Sequence, residues 1–298
     1  MDLNRLLSAV AAALLLSCAG VMAADVDYAP ESADLIVRVN GAKFCGGKAW
    51  AAVKSSPQYP KMERDVHGVL AKSGLTLDDV LNTDICLFYD TRKEDRSVDM
   101  VARNPKISSD TALAWLDSER NGTAEKTKID GREARVIKQD GVVCTAIVLG
   151  ADLVQMSIRG EAAGALVSRP RSALAAAVDP GSAVSVAYKG SSDSFEVLSR
   201  NVPQLAPFLV GLDIAMAKID EDDGVVRLDA ELRFADVQNA QNVESQLNML
   251  LVMGMMSWQK KEPEKVEILQ KFRITRDGTR VFVNFVCPLE KLNGAFLN

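Results

Sequence analysis

Chemistry at a protein site needs titratable or nucleophilic side chains brought together, and this chain offers few. Its one histidine, His67, follows Asp65 and Val66. As a general base it would draw on Asp65 or Glu63. Residues two or four apart on one helix do not build a triad by themselves, and no G-x-S-x-G elbow supplies a serine. His67 is therefore read as a surface or boundary residue. Asp220-Glu221-Asp222-Asp223-Gly224 is the densest acidic run. Carboxylates at alternate positions could hold calcium, but an EF-hand loop takes Gly at its sixth position and Glu at its twelfth. Counted from Asp220, Glu231 meets the second requirement and Gly224, one position early, fails the first. A solvated hairpin turn between Ile219 and Val225 is expected instead. No metal or cofactor is implied, and no catalytic residue can be assigned.

Four cysteines lie beyond the N-terminal region: Cys45, Cys86, Cys144 and Cys287. None forms a CxxC, which argues against zinc or thioredoxin-like chemistry. Cys86, Cys144 and Cys287 fall in apolar, strand-like runs, where cysteine commonly serves as a small hydrophobe. Buried thiols are favoured over two disulfides. The net charge of −5 and the absence of basic runs argue against nucleic acid, whose phosphates demand clustered Lys and Arg. Aromatics at 5% leave little for a base- or sugar-stacking platform.

The N-terminus reads as an export signal. Arg5 supplies a short positive region, Leu6 to Leu16 an apolar stretch, and Val21-Met22-Ala23 a small-residue cleavage site. Residues 1–23 are thus assigned to a signal peptide. A competing reading takes Leu15-Leu16-Ser17-Cys18 as a lipobox, with Cys18 acylated. The mature protein is then periplasmic or extracellular, or alternatively an outer-membrane lipoprotein, touching membrane only through that anchor. Cleavage leaves about 274 residues, enough for one large or two ordinary domains.

The elements alternate. Leu35 to Val39 is a strand, Trp50 to Lys72 a helix interrupted by Pro57 and Pro60. Ile85 to Tyr89 and Val98 to Ala102 are strands, followed by a helix capped by Ser108 or Ser109. Asp130-Gly131 and Asp140-Gly141 mark tight hairpin turns. Leu153 to Ile158 is a strand, and the Ala-rich run Gly160 to Val178 is predicted helical. The pattern then repeats in order: Val184 to Tyr188 echoes Leu35 to Val39, Pro203 and Pro207 echo Pro57 and Pro60, and Asp277-Gly278 echoes Asp140-Gly141. Colinear echoes suggest an internal duplication, with units at 31–178 and 179–298. The expected class is α+β, each unit a mainly antiparallel sheet with helices on one face.

Leu247 to Trp258 carries Met249, Met253, Met255 and Met256. It is apolar nearly all round, so it is either deeply buried or partly covered by a partner. Burial at the junction of the two units is the expectation, with Met253→Ala costing about 2–5 kcal/mol. The alternative makes Met249, Met253, Met256 and Trp258 a partner surface. Asn121-Gly122-Thr123 matches a glycosylation sequon but is more simply a turn.

Three segments carry a family resemblance: Ala33-Asp34-Leu35-Ile36-Val37-Arg38-Val39, Gly74-Leu75-Thr76-Leu77-Asp78-Asp79-Val80, and Ile129-Asp130-Gly131-Arg132-Glu133-Ala134. In these the chain resembles uncharacterised exported bacterial envelope proteins built from duplicated α+β units. The resemblance brings no activity and no site. The functional expectation is a non-enzymatic binding, scaffold or interaction module for an unknown protein or envelope component. The alternative is a hydrolase with carboxylate or serine chemistry that shows no motif. Oligomeric state is left open.

Overall fold

The computed structural model describes residues 25–55, 59–60, 75–92, 97–104, 106–119, 124–139, 141–166, 171–201, 206–259 and 262–296. The signal sequence with Cys18 and Ala23, the segment holding Glu63, Asp65 and His67, the Asn121 sequon, Asp140, and the prolines at 57, 170 and 203 lie outside the described residues.

A single antiparallel sheet of twelve strands organises the chain. The strands are β1 (Leu35–Asn40), β2 (Asp84–Tyr89), β3 (Val98–Arg103), β4 (Glu125–Ile129), β5 (Arg132–Gln139), β6 (Val142–Gly150) and β7 (Leu153–Arg159), then β8 (Val184–Lys189), β9 (Leu212–Asp222), β10 (Val225–Phe234), β11 (Phe272–Asp277) and β12 (Arg280–Pro288). Their spatial order is β11-β12-β10-β9-β8-β1-β2-β3-β7-β6-β5-β4. In each half the first three strands run consecutively and the last strand returns to pair with the third: β7 beside β3, β12 beside β10. The halves meet where β1 pairs with β8, Val37 opposite Val186. They therefore contribute to one sheet and do not close two separate ones.

Tight turns set the register. Asp130 and Gly131 take φ of 51° and 78° between β4 and β5, and Asp223 and Gly224 take 49° and 80° between β9 and β10. Two successive positive φ values match the right-handed twist of a hairpin, and Asp-Gly is the dipeptide that tolerates them.

Alternation along the strands gives each face its own cover. One face carries helices. α4 (Ser109–Glu119) lays Ala112, Leu113 and Leu116 on Ile85, Met100, Ile137, Ala146 and Met156. Ser108 starts it, accepting from the Thr111 N–H at 3.2 Å. In the second half, α7 (Val237–Trp258) presses Ala240, Val243 and Leu247 onto Phe234, Val281 and Ile274. α8 (Pro263–Leu269) and α9 (Leu289–Phe296) cover Phe285 and Cys287. α5 (Ser192–Asn201) and α6 (Ala206–Leu209) connect β8 to β9. At the strand ends sit α1 (Gly41–Gly46), α2 (Lys48–Lys54) and α3 (Leu77–Leu81).

The opposite face differs between halves. In the first, Ile36, Cys86, Phe88 and Val101 are covered by a 3-10 turn at Asp25–Tyr28 and by a strap reaching Val178. Among the described residues no α-helix forms over 160–178: 161–165 is irregular and Ala173–Ala177 forms a 3-10 turn. The cause is tertiary. Sheet side chains capture the strap's backbone: the Leu166 N–H donates to Gln155 Oε1 at 2.8 Å, Ala163 N–H to Thr145 Oγ1 at 3.2 Å, and Ala165 N–H to Asp130 Oδ2 at 2.9 Å. These bonds replace the helical ones that alanine would otherwise favour.

Candidate functional site

Helix α7 is the element with the least ordinary surface. Asp236 caps it, its carboxylate accepting from the Asn239 N–H at 2.8 Å. The first half is anchored by fully buried Ala240 and Val243. Gly254 lets α8 approach, since a Cβ there would lie 2.9 Å from Leu269 Cδ1. The outward face changes character along its length. Near the start it presents Gln238, Gln241, Asn242 and Ser245; further on, at helical spacing, it presents Met249, Val252, Met253 and Met256.

These methionines are not core. Met249 is 56% exposed, Met253 58% and Met256 71%, and Leu250 and Val252 beside them are half exposed. The helix does not lie at the junction of the halves either, for it packs on β10, β11 and β12 at the far end of the sheet. Connectivity explains both corrections. α7 and α8 link β10 to the edge strand β11, so the helix must run over the outermost strands. There the sheet can cover one side of it only. Trp258 separates from the group: it is half-buried, with Lys265 Nζ 5.6 Å from its ring centre.

The face is also without charge. Glu244 is the one charged residue within α7, and its carboxylate is engaged by Arg276 at 2.9 Å. No described helix is long and apolar enough to cross a membrane.

The acidic run forms the expected hairpin turn, with Asp222 and Asp223 exposed at its tip and Asp220 and Glu221 partly buried. Its carboxylates clamp the second half to the first. Lys43 donates to Asp220 Oδ1 at 2.6 Å and to the Gly181 carbonyl at 2.7 Å. Glu221 accepts from the Ala49 N–H at 3.0 Å, at the start of α2, and from the Gly224 N–H at 2.9 Å. Burial pushes its pKa up, but these backbone donors outweigh that and hold it below the usual glutamate range. Asp222 and Asp223 stay at the surface, Asp223 bridged to Lys48 at 2.6 Å. The acids diverge towards separate protein partners and do not converge on one point.

Among the described residues the charged groups best hidden from solvent are Arg38 and Asp84, with side chains 1% and 0% exposed. Arg38 donates to Asp84 Oδ2 at 2.9 Å and to the Pro180 carbonyl at 2.6 Å, tying β1 to the segment that leads into β8. Burial pushes the Asp84 pKa up against the pull of Arg38. Asp34 is raised for the same reason, while accepting from Thr91 N–H and Oγ1 at 2.7 and 2.8 Å. Both carboxyls are buried and engaged by protein donors. Among the described residues no disulfide links two cysteines. The Cys45 thiol, donating to the Leu81 carbonyl, is pushed up to about 11 by burial, so it carries almost no thiolate at neutral pH.

No family model matches the chain, and no curated protein matches it. Solved structures do resemble it. The Treponema protein TP0453 superposes in its crystal form I with a TM-score of 0.50 at 11% identity, over 93% of this chain and 97% of that one. Crystal form III gives 0.49 at 11% identity, over 93% and 98%. At that identity the likeness concerns the fold alone: a mixed α+β architecture on one large antiparallel sheet.

Proposed function

We propose that this chain is an exported bacterial envelope protein that acts as a non-enzymatic interaction module and docks its partner on the outer face of α7. One observation carries the reading: Met249, Leu250, Val252, Met253 and Met256 form a contiguous, uncharged apolar stripe in water. Patches of this kind on a folded domain mark interaction sites, and flexible methionines suit an adaptable contact. Export rests on the N-terminal sequence. Three consecutive strands with a returning last strand recur in both halves and support descent by duplication, but the halves contribute seven and five strands, and the Asp277-Gly278 turn takes the place of the β6–β7 turn and not, as expected, of the β5–β6 turn. The hydrolase alternative draws no support from the carboxyls with raised pKa, because both are buried and each is held by a protein donor.

The test is a photo-crosslinking amino acid at Met253 in the cells that make the protein. A discrete adduct at position 253, absent when the probe stands at Asp213 on the far side of the sheet, is the expected result. A probe at 253 that links to nothing would refute docking on α7.

A further inference from the structure

We infer that Met249, Met253 and Met256 are a site of reversible oxidation, at which a peroxide turns the apolar stripe polar and releases the partner docked on α7. The modification stands on the exposure of three thioethers. Its effect as a switch rests on the docking role proposed above.

Access is the first ground. Among the described methionines, Met249, Met253 and Met256 are 56%, 58% and 71% exposed, whereas Met100 and Met156 lie in the core at 4% and 5%. Met216 and Met255 are half-buried. The usual competitors for an oxidant are shielded. Cys86 and Cys287 are fully buried, and Cys45 and Cys144 are half-buried. A thiol reacts as its thiolate, and burial suppresses that form at Cys45. A thioether keeps its nucleophilic lone pair at any pH. These three are therefore the described sulfurs most open to an oxidant in water.

Spacing is the second ground. Positions i, i+4 and i+7 of a helix fall within about 60° of arc and about 10 Å of length. Three oxidations land on one patch, flanked by the exposed Leu250 and Val252. Ala240, Val243 and Leu247 anchor the helix, and the three sulfurs take no part in that core, so added oxygen leaves the fold in place.

The chemistry needs only a peroxide. A sulfur lone pair attacks one oxygen of hydrogen peroxide and the O–O bond breaks. The departing hydroxide takes the proton of the transferred oxygen and leaves as water. Sulfur gives up two electrons to the peroxide and ends as a sulfoxide. A dithiol, acting through a sulfoxide reductase, reverses this: the oxygen leaves as water and the dithiol closes to a disulfide. Each sulfoxide oxygen is a strong acceptor where an apolar contact had been. Burying one against a partner without a donor weakens the contact by about tenfold, because an unpaired buried acceptor keeps its desolvation cost.

To test the site, the full-length chain is treated with hydrogen peroxide, digested at intervals and mapped by tandem mass spectrometry. Met249, Met253 and Met256 should each gain one oxygen at least about tenfold faster than Met100 and Met156, with an unchanged circular dichroism spectrum. Equal rates at all of these positions, or loss of helix before the three are oxidised, overturns the site. To test the switch, a photo-crosslinking residue replaces Leu250 in cells. Peroxide should cut the adduct about tenfold or more in the parent. It should not do so when Met249→Leu, Met253→Leu and Met256→Leu keep the stripe apolar and remove its sulfurs. An adduct undiminished in the parent, or lost equally in the leucine variant, overturns the switch alone. If no adduct forms even before peroxide, the docking role fails and the switch with it, while the mass map still decides the modification.

Discussion

Two substitutions on one helix separate a buried face from an exposed one. Val243 is 2% exposed beneath α7, and Met253, ten residues on, is 58% exposed. Val243→Ala removes two carbons from the core at about 0.8 kcal/mol each, and the cavity left behind raises the total to roughly 2 kcal/mol. Met253→Ala removes atoms already largely in water. Surface changes of that kind fall within about 0.5 kcal/mol, and alanine's helix propensity offsets part of the loss. At this chain length 1 kcal/mol moves Tm by about 2–4 °C, so the first variant should melt roughly 4–8 °C lower and the second within about 2 °C of the parent. The assay is urea and thermal unfolding of both variants beside the parent. If Met253→Ala costs as much as Val243→Ala in the monomer, the stripe is covered by the chain itself and the docking argument fails.

Other outcomes follow from the buried and capped groups. Arg38→Met leaves the Asp84 carboxyl enclosed without its cation and should cost about 3–5 kcal/mol at neutral pH in chemical unfolding. Adding Asp84→Leu should restore much of that, and a single variant losing under about 1 kcal/mol would contradict the burial of the pair. Because burial holds the Asp84 pKa above its unfolded value, this carboxyl's contribution to stability is greatest at low pH and falls as pH rises through the folded value. Asp79 has the opposite sign. The Lys106 ammonium at 2.7 Å, with the Thr76 hydroxyl and N–H, lowers it to about 2, so its contribution is complete above pH ~4 and is lost as pH falls through the folded value of about 2. Asp79→Asn should remove roughly 1 kcal/mol at neutral pH and flatten the acid limb of a stability–pH curve. Glu221→Ala should loosen the clamp on α2, read as faster amide exchange at Ala49 and Gly224 with little change in strands β2 and β3. Intact-mass measurement on the native protein should find a chain beginning near Ala24 or an acylated Cys18; a chain still starting at Met1 would remove the case for export.

Most strands were legible because local chemistry and burial agree there. Leu35 to Val39 and Val184 to Tyr188 are short apolar runs beside turn residues, and the structure extends each by one residue only. The Asp130-Gly131 turn was fixed by the conformations those two residues tolerate. The strap at 161–166 was not legible. Its alanines favour helix locally, and the side chains that unwind it, Gln155, Thr145 and Asp130, are distant in sequence. The acidic run showed a turn but not its purpose, since Lys43, Lys48 and the Ala49 N–H stand more than 170 residues before their partners.

The candidate site divides in the same way. Sequence alone determined that Leu247 to Trp258 is a helix with more apolar surface than one face can absorb, because composition and period are local properties. It also gave the class of the fold, since strand and helix patterns alternate along the chain. Which way the surplus points was decided by tertiary structure. The return of β12 to β10 left β11 at the sheet edge, carried α7 over the outermost strands, and gave it cover on one side. A helix inside the sheet's span would have buried the same methionines. Hydrophobic residues go inside only where topology supplies a second surface, and strand order is set by pairings between residues that the local pattern does not connect.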